Sequence, residues 1–219
     1  MRFLPLIPSA HPSAWTVEPD EVGWEDIANE VLDRDARACR FCGHCTIGWQ
    51  AVFHLDGDHE NWTVDNLVTA CTLCHAAQHL GRVTVGQELT LIWLPDVSQA
   101  ALNCIVRRIH LILYAHGEPA HMTEPPRSEE RRVHAAIRAY QGLAAEAATL
   151  EGRIHTSNPR DLGAALLDLA GADRERLRSA MGGIRLLHRG RYFHQGRDIY
   201  PEILSASSGA APRAVTAAG

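Results

Sequence analysis

Lysine is missing altogether: every one of the 21 basic side chains among 219 residues is arginine. That bias fits the base composition of a GC-rich genome better than any mechanism. Positive charge is not in excess either. The 26 acids leave a net charge of −5 and a pI near 6.2, which argues against a protein that coats DNA or RNA. No apolar run approaches the roughly 18 residues of a membrane-spanning helix. The first 14 residues carry a single Arg, and Pro5 and Pro8 break their apolar stretch, a poor secretory signal. A cytoplasmic, reducing location is the expectation. What remains is ordinary: 46% hydrophobic and 21% charged residues, a globular composition with room for one domain, or one domain with added helices.

Charge is unevenly placed. Residues 1–36 hold two arginines against eight acids, residues 37–82 three against four, residues 83–125 two against four, and residues 126–219 fourteen against ten. The stretch richest in Cys and His is therefore close to neutral, and the positive charge lies downstream of it.

Hydrophobic spacing suggests the elements. Arg2–Ile7 suits a short edge strand, where proline is tolerated. Residues 22–33 suit a helix with Trp24, Ile27, Ala28, Val31 and Leu32 on one face. Residues 38–45 form a Cys-rich turn, Trp49–Leu55 a strand, and 56–63 a polar turn. Leu67, Val68, Cys71, Cys74 and Ala77 recur at threes and fours, so Val64–Leu80 is expected to be helical in part. Leu89–Leu94 suits a second strand, stopped by Pro95. Asp96 or Ser98 caps a helix whose apolar face takes Ala101, Leu102, Ile105, Ile109, Leu111 and Ile112. Residues 117–127 form a linker, and Ser128–Arg153 a long helix. Residues 160–170 and 172–181 suit two short helices.

Six cysteines and 13 histidines in a reducing compartment point to metal before disulfides. Cys39-Arg-Phe-Cys42 and Cys71-Thr-Leu-Cys74 are two C-x-x-C pairs with 28 residues between them. Two thiolates at that spacing on a turn occupy adjacent corners of a zinc tetrahedron, and two pairs close the site. Such a site leaves no open position, so the zinc is expected to be structural. Cys42 and Cys45 offer a competing first pair. Cys39 and Cys42 are preferred because Gly43 then follows the second ligand, where the chain must turn. Cys104 is expected to be a core residue. A redox dithiol needs a thioredoxin-like context, and none is visible.

Between the pairs runs Phe53-His54-Leu55-Asp56-Gly57-Asp58-His59, followed by Asp65-Asn66-Leu67-Val68. The second pair continues as Cys74-His75-Ala76-Ala77-Gln78-His79. Over about residues 37–80 this order resembles the HNH nuclease motif, a ββα-metal finger. The resemblance implies His54 as general base, Asn66 as the residue that orients the base or touches metal, and His75 and His79 as holders of a divalent ion such as Mg²⁺. The chemistry implied is metal-assisted phosphodiester hydrolysis. The position before the base, ordinarily a His or Asp ligand, is Phe53, which cannot bind metal.

A longer similarity spans most of residues 1–205. RDARACRFCG, HLDGDHENWTVDNLVTACTLC, LTLIWLPDVSQAALN, a long helix and a late IRLLHR together resemble the IcmJ (DotN) proteins of type IVB (Dot/Icm) secretion systems. That resemblance implies a zinc-bearing, HNH-like fold that acts as a structural and adaptor subunit. Its partners would be a type IV coupling ATPase and an associated membrane-complex subunit, which recruit it to the inner membrane without direct insertion. Nuclease histidines are generally eroded in that family, yet His54, His75 and His79 are kept here. The stretch Ile184–Tyr200 interleaves arginines with Tyr192, Phe193 and Tyr200, a composition common at binding surfaces.

The expected fold is α+β: a zinc-braced ββα finger embedded in a mostly helical single domain. Its expected segments are an N-terminal strand and helix (1–36), the HNH-like zinc-binding core (37–82), a strand plus helical extension (83–204) and a disordered tail (205–219). Zn²⁺ is expected on Cys39, Cys42, Cys71 and Cys74. The expected role is non-enzymatic adaptor work. The alternative is a metal-dependent HNH endonuclease, and only that alternative calls for nucleic acid.

Overall fold

In the computed structural model of the chain, residues 3–11, 23–122, 126–169, 173, 176–177 and 180–208 are described. Their architecture is α+β, with three two-stranded antiparallel sheets set among helices. Helix α1 (Trp24–Arg34) starts at Gly23, carries Glu25 and Asp26 in its first turn, and buries Val31. Acids there complement the positive end of the helix dipole. Its apolar side, with Trp24, Ile27 and Ala28, packs on Val52 and Leu67.

Strand β1 (Gln50–His54) pairs with β2 (Leu67–Cys71), with Gln50 opposite Cys71 and His54 opposite Leu67. The helical spacing seen across 64–80 is thus only partly a helix. Every residue of β2 is buried, and a strand covered on both faces has no alternation to betray it. A single 3₁₀ turn (Val64–Asn66) precedes β2. A short helix, α2 (Thr72–His75), follows it and passes into a second 3₁₀ turn, Ala76–Gln78.

The second half is built on another hairpin. After the one-turn helix α3 (Val85–Glu88) comes β3 (Leu89–Trp93), which pairs with β4 (Ile184–His188), nearly a hundred residues later. Between them run α4 (Gln99–Ala115), α5 (Arg131–Ile154) and α6 (Pro159–Asp168). Ser98 caps α4 by accepting from the Ala101 amide, and Asn158 caps α6 in the same manner with Pro159 behind it, each the expected use of its residue type. A small hairpin of β5 (Phe193–His194) and β6 (Arg197–Asp198) leads into α7 (Tyr200–Ser208).

One large core joins the two halves, with Phe41, Phe53, Val68, Leu80, Leu89, Leu91, Leu150, Leu186 and Tyr200 among its members. A second cluster, Ile92, Leu102, Val106 and Leu187, lies between α4 and the β3–β4 hairpin. A third, Ile109, Leu113, Val133 and Ala136, joins α4 to α5.

Several expectations need correction. Residues 3–7 form no strand; they run extended, with Leu4 N–H bonded to Arg40 C=O at 2.8 Å and Ser9 N–H to Ala77 C=O at 3.1 Å. Ser205–Ser208 belong to α7 and Ser205 is buried, so the expected disordered tail does not begin at Ser205. Residues 209–219, and most of the short helix expected over 172–181, lie outside the described residues. On α4 the apolar face is displaced: Ala101 and Ile105 are exposed, while Gln99, Asn103, Arg107 and His110 are buried. Cys104 is exposed and is not a core residue.

Candidate metal centre

The first C-x-x-C pair sits on a turn. Gly43 N–H bonds to Cys39 C=O at 2.8 Å, and Cys39 N–H to His44 C=O at 3.0 Å. Gly43 has φ +74°, the left-handed conformation that closes such a turn and that glycine adopts without strain. The second pair brackets the start of α2, with Cys71 ending β2 and Cys74 one turn on. Folding β1 against β2 brings the pairs together. The sulfurs of Cys39, Cys42, Cys71 and Cys74 all lie within 4.8 Å of one another, and Cys42 Sγ is 3.7 Å from Cys71 Sγ. A tetrahedral ion with metal–sulfur bonds of about 2.3 Å spaces its ligands about 3.8 Å apart. The four thiols can therefore hold a metal ion, and their number and spacing suit zinc. Cys45, the rival for the first pair, is exposed and outside the group.

So many thiols in one place do not titrate independently. Hydrogen bonds from Cys39, Cys71 and Cys74 hold Cys42 well below the usual thiol range despite its burial. Burial, with hydrogen bonds to Cys39 and Cys42, pushes Cys71 up.

Helix α4 supplies the surroundings, a part that its apolar periodicity masked in the sequence. Arg107 Nη2 donates to Cys71 Sγ at 2.8 Å, and Nη1 lies 3.9 Å from Cys42 Sγ. Asn103 Nδ2 donates to Cys74 Sγ at 3.3 Å. Gln99 Nε2 donates to Asn103 Oδ1 at 2.9 Å and to Leu186 C=O at 2.8 Å, and Gln99 Oε1 accepts from Leu186 N–H at 2.8 Å. His110 Nδ1 meets the Tyr200 hydroxyl at 2.8 Å. The polar residues fall at 99, 103, 107 and 110, one helical ridge. The available signal was that same spacing of polar residues, hidden by the louder apolar one. From the other side, Tyr200, Ile203, Leu204 and Ser207 of α7 close over Cys71 and Arg107.

The histidines form a second group beside the first. His75 Nε2 and His79 Nε2 are 3.2 Å apart, although His79 lies beyond α2, past the 3₁₀ turn. His54 does not join them directly; His59 stands between, with ring centroids 4.5 Å from His54 and 5.0 Å from His79. Burial, then the neighbouring His59, pushes His54 down to about 4. Burial, then His79, pushes His75 well down too. His54 stacks on Trp24 at 5.5 Å, and Gln78 Nε2 donates to the His54 carbonyl. Phe53 fills the core, edge-on to Phe41 at 4.8 Å and to His75 at 6.4 Å. Asn66 lies elsewhere in the loop: its Nδ2 donates to Asp56 Oδ1 at 2.9 Å and Asn61 C=O at 3.0 Å, and its Oδ1 accepts from Asp56 N–H at 3.1 Å. His59 went unremarked in the sequence because a histidine in a polar turn is ordinarily exposed.

The Arg-and-aromatic stretch 184–200 is largely spent internally. Arg185 donates to the carbonyls of Val97, Pro95 and Ile184, Arg189 to that of Gly86, and Arg197 pairs with Glu202 at 2.7 Å.

Fold and site together define an α+β protein built around a buried four-cysteine centre able to hold a metal ion. Over 101 residues the chain is 34% identical to the type 4 apparatus protein DotN of Legionella pneumophila, a match that takes in 44% of this chain and 47% of that protein. It is DotN-like in that span, and the match covers about half the length of the curated relative. No family model matches the chain. Among the described residues no helix is long and apolar enough to cross a membrane.

Proposed function

We propose that this chain is a zinc-holding adaptor subunit of a type IVB secretion, or related conjugation, coupling complex. The observation that carries this reading is the likeness to DotN, whose name assigns that protein to a type 4 apparatus. The four-cysteine centre supports it: a closed set of thiolates is a folding element with no seat for substrate. On this reading the finger, an eroded HNH-like unit, holds the long helices in place, and those helices offer surface to a coupling ATPase and its membrane-complex partner. The test has two arms. The full chain, purified without added metal, is expected to carry one zinc per molecule. A tagged copy expressed in its native host is expected to retain the coupling ATPase from detergent-solubilised membranes. Cys71→Ser is expected to lose both, whereas His54→Ala keeps both. A metal-bearing chain that retains no coupling ATPase would sink the adaptor reading.

The meeting of His75 and His79 supports a second reading, a metal-dependent HNH endonuclease with His54 as base and Asn66, His75 and His79 around the ion. Phe53 in the core, and the engagement of Asn66 within its loop, weigh against it. Plasmid cleavage with Mg²⁺, Mn²⁺ or Ni²⁺, abolished by His54→Ala, would establish it over the adaptor reading.

A further inference from the structure

Arg107 has an unusual set of partners. Only 8% of its surface is exposed, and among the described residues no carboxylate pairs with it. Its guanidinium is directed at sulfur instead, 2.8 Å from Cys71 and 3.9 Å from Cys42. A buried guanidinium without counter-charge carries a heavy desolvation penalty. Four neutral thiols do not relieve it. Four thiolates on a divalent ion do, because they leave two net negative charges in the same pocket, and one guanidinium cancels one of them.

Asn103 has no freedom to serve otherwise. Its Oδ1 accepts from Gln99, and Gln99 is itself held at both ends by Leu186. The Asn103 amide is thereby turned with its N–H toward Cys74. Donors from one helix thus reach three of the four sulfurs. A hydrogen bond to a thiolate draws charge off sulfur and lowers the tendency of that sulfur to take up a proton and leave the metal.

We propose that Arg107 offsets one of the two net negative charges of the four-cysteine centre, that Asn103 adds a neutral hydrogen bond, and that these two α4 side chains set how tightly the centre keeps its metal. The proposal rests on the reading that the four thiols hold a divalent ion. It also explains the placement of α4. A helix that compensates the centre's charge is locked to it, so metal occupancy and the docking of α4 become one event.

The test uses the full chain loaded with zinc, and the same chain with cobalt, as wild type, Arg107→Gln, Arg107→Lys and Asn103→Ala. Zinc release to a chromophoric chelator is timed, and the cobalt–thiolate charge-transfer band is recorded. Arg107→Gln is expected to release zinc about tenfold to a hundredfold faster, with the charge-transfer band at lower energy because the thiolates have become more electron-rich. Arg107→Lys restores much of the retention, since it returns the charge. Asn103→Ala gives a smaller acceleration with Arg107 intact, and it keeps the proposal open to refutation if Arg107→Gln does not fold. Variants that merely lose thermal stability, with release rate and band unchanged, overturn the proposal while leaving the metal reading in place. A wild-type chain that binds neither zinc nor cobalt stoichiometrically overturns both.

Discussion

Asp35, at the end of α1, shows how much one side chain can be asked to hold. It is buried, and its carboxylate accepts from Arg34 Nε at 3.1 Å and Nη2 at 3.0 Å, from Arg40 Nη1 at 2.9 Å and from the Thr69 amide at 2.8 Å. It ties α1, the cysteine turn and β2 together. Burial alone would raise its pKa, but the bonds from Arg34, Thr69 and Arg40 win and hold it below the ordinary value. Asp35→Asn turns one acceptor into a donor facing other donors, and is expected to cost about 3–5 kcal/mol in denaturant unfolding near neutral pH. A folded pKa below the unfolded one gives stability that is present above the unfolded value of about 3.9 and lost as pH falls through the folded value. The gap between wild type and variant should therefore narrow in acid, and a gap that stays constant with pH would contradict the assignment. At Gly190 the issue is space: φ is +77°, and an added Cβ would lie 2.3 Å from the Ala120 carbonyl carbon. Backbone cannot step aside as a flexible side chain does. Gly190→Ala is expected to cost about 2–5 kcal/mol through strain and overpacking together, and a variant with wild-type unfolding behaviour would show that the loop shifts freely.

Among the elements, α4 repays the closest comparison between expectation and outcome. Its apolar residues alone cannot place it, because Ile105 is 45% exposed while Gln99 and Asn103 are almost fully covered. The helix turns its polar ridge inward, toward the cysteine centre, the β4 edge and Tyr200. Gln99 serves as a local strand, bonded to both the N–H and the C=O of Leu186. Gln99→Ala strands two buried backbone groups and is expected to cost about 2–4 kcal/mol, read as a lowered urea midpoint. Gln99→Glu keeps the bond to the Leu186 amide but sets a buried carboxylate oxygen against the Leu186 carbonyl and Asn103 Oδ1, and is expected to cost at least as much as Gln99→Ala near neutral pH. Equal stability of all three proteins would mean that water replaces the side chain. Strand β2 carries the complementary lesson: LVTAC, buried throughout, has the composition of a core segment and no period of its own.

The whole molecule carries a set of buried imidazoles. Burial pushes His110 to about 3 and His188 and His54 to about 4, against about 6.5 for a free histidine. Between those values the unfolded chain binds protons that the folded chain refuses. Stability is therefore greatest above about pH 6.5 and falls as pH drops toward the folded values, at up to about 1.4 kcal/mol per pH unit for each histidine. Urea midpoints should be nearly level above about pH 7 and decline from about pH 6.5 to about pH 5. A flat profile across that window would show these rings to be solvated or hydrogen-bonded as cations.

Local chemistry made some of this protein legible in advance. The C-x-x-C spacing, Gly43 and the helix-starting Ser98 act over a few residues, so their consequences are written beside them. The four thiols were identifiable because metal ligation demands a residue type and a spacing together. Which buried polar groups surround those thiols was settled only by the tertiary fold. Arg107 lies 36 residues beyond Cys71, and its spacing from Gln99 and Asn103 does not by itself tell a buried ridge from a solvated one. The pairing of β3 with β4, the closure of α7 over the centre and the insertion of His59 between His54 and His79 are decided in the same manner. Each depends on long-range packing, where the balance of burial against hydrogen bonding is struck between segments that meet only once the chain has folded.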